Sequence, residues 1–181
     1  MRLKDGDPPP ATLSLVAAVA LHRAFIEATD IPSACLRIKW PNDLVVRRGD
    51  VWGKIAGILL ERETNVIVAG FGANLAHAPT LPDRAIFSAA DFGKAPEPVA
   101  FCFILGARFA EELARWRQRG PVDTRRRWLD RAMPTGTPLT VHVSAEESKS
   151  GTFAGIESDG ALRLQTPDGI DSVRAGDVDL G

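Results

Sequence analysis

Lys39-Trp40-Pro41-Asn42-Asp43-Leu44 and, after a short polar insertion, Gly53-Lys54-Ile55-Ala56-Gly57-Ile58-Leu59-Leu60-Glu61 are the runs on which the fold turns. Leu36, Ile38 and Trp40 alternate with Arg37 and Lys39, the period-two pattern of a half-buried strand. Pro41 ends it, because proline cannot donate to a ladder. Arg47-Arg48-Gly49-Asp50 forms a solvent-facing turn, and Ile55 to Glu61 forms a second, mostly apolar strand. Asn65 makes the tight turn into a third strand, Val66 to Gly72. Two strand-like runs thus bracket a polar turn rich in functional groups. A surface hairpin needs only a turn pair such as Asn-Gly, not a Trp-Pro-Asn-Asp corner followed by a lysine entering a glycine-punctuated strand.

On the N-terminal side, residues 1–10 are charged and proline-rich and predict an extended lead-in. Thr12 is placed to cap a helix running to about Ala28, apolar nearly all round, with Leu13, Ala17, Leu21 and Phe25 at i+4 spacing. Such a helix is buried on most of its surface, and its expected cover is the strand meander. On the C-terminal side, residues 77–98 carry prolines without a clear period and predict a long irregular connection, with a short helix near Ser88. Cys102, Leu105, Phe109, Leu113 and Trp116 then fall on one helical stripe that begins near Glu97 and stops at Gly120-Pro121. A second, strongly basic helix follows over residues 122–132. Pro134-Thr135-Gly136-Thr137-Pro138 is the clearest boundary in the chain. Beyond it, four or five short alternating segments separated by turns predict a small SH3-like β-barrel. The fold class expected is α+β: a mixed or antiparallel sheet packed on helices over residues 1–133, and the barrel over residues 134–181.

The chain has 181 residues, 45% of them hydrophobic and 25% charged, enough for one core and a small satellite. A net charge of −1 provides no global attraction to nucleic acid or anionic lipid, so neither DNA nor membrane is an expected partner. Cys35 and Cys102 lie far apart with no zinc or disulfide spacing, which favours a reducing cytoplasm. No signal-peptide pattern opens the sequence, and no apolar run reaches about 18 residues without a charge, so a soluble, cytoplasmic chain is expected.

Asn42 and Asp43 fall just past a proline at a strand end, where side chains project into a crevice; the bland alternative is an Asx-turn that only shapes the backbone. Lys54 begins a strand, where most lysines are merely solvated. Lys39 faces away from Ile38 and Trp40, and Trp40 itself fits a core position better than a ligand platform. Gly57, Gly70 and Gly72 remove side chains from facing strands and allow a flat ligand close to the backbone. As a dinucleotide fingerprint, Gly70-Phe71-Gly72-Ala73-Asn74-Leu75 fails for want of a third glycine and a following helix. His22, His77 and His142 are scattered and form no constellation. Arg125-Arg126-Arg127 with Arg131 fits a solvated helix face, or a contact with an acidic partner.

The KWPNDL, GKIAGILLE and GFGANL runs, in that order and spacing, resemble three successive signatures of the biotin-protein ligases, and the resemblance extends from about Thr12 to the end of the chain. It implies an enzyme that activates biotin with ATP to biotinyl-5′-AMP and passes the biotinyl group to a lysine of a biotin carboxyl carrier domain, as in acetyl-CoA carboxylase. Lys54 corresponds to the family's essential lysine, touching carboxylate and phosphate. Asn42 and Asp43 correspond to a pair at the nucleotide and Mg²⁺, with Asp43 also able to steer or deprotonate the acceptor lysine. Lys39 belongs to the first motif, and Asn74 resembles an asparagine on the nucleotide side. Members of the family carry, ahead of the apolar helix, a Gly-Arg-Gly-Arg-like loop over biotin. Residues 1–10 contain no such run, so the resemblance leads one to expect the ATP and phosphate side of the site without most of the biotin side. A non-catalytic remnant that binds the carrier or dimerises, and a lipoate ligase, are the alternatives.

Overall fold

The computed structural model describes residues 1–82, 84–144 and 146–180. Four antiparallel strands form the first sheet in sequence order: β1 (Leu36–Lys39), β2 (Asp43–Arg48), β3 (Val51–Glu63) and β4 (Val66–Ala73). The expected polar turn between two strands is therefore itself half strand. Leu44, Val45 and Val46 pair on both sides, with β1 and β3, and are buried. The lead-in adds to the far edge, where Arg2 bridges Val66 and Leu3 N donates to Asn65 O at 2.8 Å. The long hairpin β3–β4 turns at Thr64-Asn65, as the asparagine suggests.

Helix α1 (Leu13–Ala28) packs on the sheet on one side and on helix α2 (Pro98–Leu129) on the other. That double cover is why its sequence is apolar all round. By length and composition the segment Pro10–Ala28 could cross a membrane, but 67% of it is buried inside the fold. Thr12 does not cap it. Its Oγ1 donates to Pro9 O at 2.7 Å and accepts the Trp116 indole N–H at 2.8 Å, tying the start of α1 to α2.

In α2 the helical path breaks at Gly120, φ 76°, where the sequence places its stop. The buried stripe is Phe101, Leu105, Glu112 and Trp116, while Cys102 is exposed, one residue off the expected face. The basic segment beyond Gly120 is not an open solvated face. Arg127 pairs with buried Glu112, Arg125 donates to Ile156 O, and Arg126 pairs with Asp123.

The second sheet comprises β5 (Pro138–His142), β6 (Ser148–Ile156), β7 (Leu162–Thr166), β8 (Gly169–Val173) and β9 (Asp177–Leu180), all antiparallel, in the order β8-β7-β6-β5-β9. One apolar core runs from α1 through β1–β3 and Trp128 into Leu139, Phe153, Ile156 and Leu164 of this sheet. Strand β1 is the seam. Ile38 N donates to Arg131 O and its carbonyl accepts from Met133 N, and the Trp40 indole donates to Gly160 O at 3.0 Å. Trp40 is buried in this core.

Candidate active site

A single irregularity in β3 organises the site. Asp43 of β2 pairs with Gly57 and Leu44 with Ala56, but Val45 pairs with Lys54, leaving Ile55 unpaired as a bulge. Side chains alternate along a strand, so Lys54 and Gly57, three apart, would ordinarily point to opposite faces. The bulge returns Lys54 to the face of Asp43 and Gly57, and Ile55 turns into the core. The connection after β4 locks this geometry. Lys54 N donates to Ala85 O at 3.0 Å and Phe87 N to Lys54 O at 2.9 Å, while Asn74 N donates to Ile55 O at 2.9 Å.

On that face the Lys54 ammonium lies 2.5 Å from Asp43 Oδ1, an ion pair out of line for a hydrogen bond. The Asp43 carboxylate is buried, whereas the Lys54 side chain is 41% exposed. Gly57 leaves little room for a side chain. A Cβ there would stand 3.2 Å from Lys54 Cε and Nζ and 3.3 Å from Asp43 Oδ1. Gly70 and Gly72 have no neighbour closer than 3.8 Å to such a Cβ, so they leave open space beside the pair. Asn42, Asp43, Lys54, Gly57, Gly70, Gly72 and Asn74 all line this one cavity of about 550 Å³ on the sheet face turned away from α1.

Two of these residues are committed to the backbone. The Asn42 side-chain amide donates to Ile58 O at 2.6 Å, and the Asn74 amide donates to Phe87 O at 3.1 Å. Lys39 is placed differently from the rest. It is buried, donates to Val178 O of β9 at 2.6 Å, and lies 3.3 Å from Asp43 Oδ2. It faces a second hollow, between β3 and β9, bordered by Lys54, Arg84 and Asp179.

Asp43 thus has an ammonium at each oxygen. Among the described residues no three His, Cys, Asp or Glu side chains gather as a metal site. A lone carboxylate already balanced by two lysines does not fit a resident Mg²⁺, which takes one or two carboxylates together with substrate phosphates. The cations beside Asp43 are Lys39 and Lys54, the latter half exposed beside the glycine-cleared space. Sequence reasoning missed the bulge and the contact of Lys39 with Val178. The adjacent buried residues Ile55 and Ala56 are the only sequence trace of the former.

The family described as "Biotin protein ligase C terminal domain" matches residues 140–181. The biotin–[acetyl-CoA-carboxylase] ligase of Paracoccus denitrificans is 35% identical over 192 aligned residues, covering 100% of this chain and 78% of that protein. The corresponding ligase of Mycobacterium tuberculosis is 29% identical, covering 92% of this chain and 61% of that protein. In fold, the chain is similar to the Aquifex aeolicus biotin protein ligase in complex with biotin and ATP, with a TM-score of 0.77 at 19% identity over 95% of this chain and 72% of that one.

Proposed function

The chain belongs to the biotin-protein ligase family, and we propose that its Lys54–Asp43 face carries out ATP-dependent activation of biotin to biotinyl-5′-AMP and transfer of the biotinyl group to a carrier-domain lysine. In the first step a carboxylate oxygen of biotin attacks the α-phosphorus and the bond to the bridging oxygen breaks, releasing pyrophosphate. Negative charge gathers at the α-phosphate, and a fixed ammonium there stabilises the transition state. Lys54 suits this role because it is half exposed, rides on a rigid bulge, and can leave Asp43 for phosphate. In the second step the acceptor amine attacks the acyl carbon and AMP departs. Asp43 steers that amine, its buried Oδ1 having no aligned hydrogen-bond donor within the protein. Gly57, Gly70 and Gly72 provide room for the adenylate, with Asn42 and Asn74 shaping the walls. Mg²⁺ would arrive with the nucleotide and offset phosphate charge, and no step is assigned to it. The acceptor would be the biotin carboxyl carrier domain of acetyl-CoA carboxylase or a similar carboxylase.

The observation that carries this reading is the bulge-directed Lys54–Asp43 pair beside the glycine-cleared cavity. The test is to incubate the chain with biotin, labelled ATP, Mg²⁺ and a carrier domain, measuring biotinyl-5′-AMP and biotinylated carrier. Lys54→Ala, folded by circular dichroism, should lower adenylate formation by about 10²-fold or more. Undiminished adenylation in that variant overturns the assignment. A wild-type chain that binds the carrier domain without modifying it points to a binding role instead.

A further inference from the structure

Lys39 has a setting unlike that of any solvated lysine. Its ammonium is buried, donates 2.6 Å to the carbonyl of Val178 on β9, and stands 3.3 Å from the second oxygen of Asp43. Burying an ammonium is expensive unless it is both paired and hydrogen-bonded, and here it is both. Lys54, on the other oxygen, is the more exposed partner. Once a phosphate draws Lys54 away, Lys39 is the only cation left within ion-pair reach of Asp43 among the described residues. Val178 belongs to the second sheet, which the first sheet meets through Lys39 and through the Trp40 indole bond to Gly160 in the β6–β7 turn.

Resting on the ligase reading of this site, we propose that Lys39 is a positioning residue: anchored by the Val178 carbonyl, it holds Asp43 oriented while Lys54 serves the phosphate. Lys39 does not line the glycine-cleared cavity. Its effect should therefore appear in turnover and not in substrate affinity, since small misplacement of a reacting group raises the barrier without weakening binding.

The experiment compares Lys39→Met, Lys39→Arg and Trp40→Phe. The methionine keeps the length without the charge, the arginine keeps the charge, and the Trp40 change removes one bond between the sheets while sparing Lys39. Transfer to the carrier domain should fall by about tenfold or more in kcat for Lys39→Met, with KM for ATP and biotin changing less than about threefold. Lys39→Arg should recover a substantial part of the loss, and Trp40→Phe should retain wild-type kcat even if it melts earlier. Unchanged kcat in folded Lys39→Met, an arginine variant no better than the methionine one, or an equal kcat loss in Trp40→Phe each overturns the proposal. A readout independent of activity separates this from the ligase reading. In ¹H–¹⁵N spectra of lysine ammonium groups, Lys39 should give a slowly exchanging signal that shifts in Asp43→Asn. With that signal present and no adenylate formed by the wild-type chain, the ligase reading fails while the anchoring stands. Absence of the signal overturns the anchoring whatever the activity.

Discussion

His22 lies inside α1 with its ring buried, Nε2 3.4 Å from the Leu36 carbonyl and Nδ1 without a partner. Burial, aided by the positive charges of Arg131 and Arg37, pushes its pKa from 6.5 down to about 4. The folded chain therefore keeps this imidazole neutral where the unfolded chain protonates it. Stability from this residue is complete above pH 6.5 and is lost as pH falls toward 4, because the unfolded state binds the extra proton across that window. The cost amounts to about 3 kcal/mol at the acid end, a pH unit corresponding to about 1.4 kcal/mol. Urea midpoints measured from pH 7 to pH 4.5 should fall in the wild-type chain and flatten in His22→Leu. Equal slopes in the two proteins would remove His22 from the account. At the same scale, Gly57 differs from Gly70 and Gly72: a Cβ there would crowd Lys54 and Asp43, whereas the others face open space.

Between the two helices, Glu112 of α2 is buried and receives both Arg23 of α1, at 2.6 Å, and Arg127 from beyond the Gly120 break. This one carboxylate joins three helical segments. Without it Arg127 would be left partly buried without its acidic partner and Arg23 with Glu111 alone, an arrangement that costs more than the pair itself contributes. Glu112→Ala should lower unfolding free energy by about 3 kcal/mol in chemical denaturation. A loss near zero would mean that Glu111, which also reaches Arg23 at 2.9 Å, takes over the role. The β3 bulge is the comparable device in the sheet, converting a three-residue spacing into one shared face.

Across the molecule, Trp128 joins the two sheets. It is fully buried and packs against Phe153 of β6 at 6.3 Å between ring centroids, within the core that runs from α1 to β7. A continuous core predicts that both sheets unfold in a single transition. Trp128→Ala opens a cavity at the junction and should cost about 3–5 kcal/mol. It should also let the amides of β5–β9 exchange with solvent independently of those of β1–β4 in hydrogen-exchange measurements. Separate unfolding of the two sheets in the wild-type chain would contradict this coupling. The division at residues 134–138 remains a proposal about how the chain is organised in sequence; in space its two sides share one interior.

The apolar helix, the meander, the break at Gly120 and the short C-terminal strands are written locally, in periodicity, proline and glycine, and could be read without coordinates. So could the grouping of functional side chains in the KWPNDL and GKIAGILLE runs, because unusual side chains concentrated at a strand end are a local signal. Strand β2 was hidden because its apolar stretch, Leu44 to Val46, is only three residues long and is buried on both sides instead of alternating. The stripe on α2 was misjudged at Cys102 because the apolar residues Phe101, Cys102 and Phe103 are consecutive, and only the neighbouring helix decides which of them faces in. The partners of Lys39, Glu112 and Thr12 come from residues 139, 89 and 104 positions away along the chain. Sequence alone determined most of the elements, β2 excepted, and which side chains carry charge and space. Only tertiary structure decided which lysine stays half exposed beside the glycine-cleared cavity and which is buried against a carbonyl, because a one-residue bulge and a distant strand set the faces of otherwise similar residues.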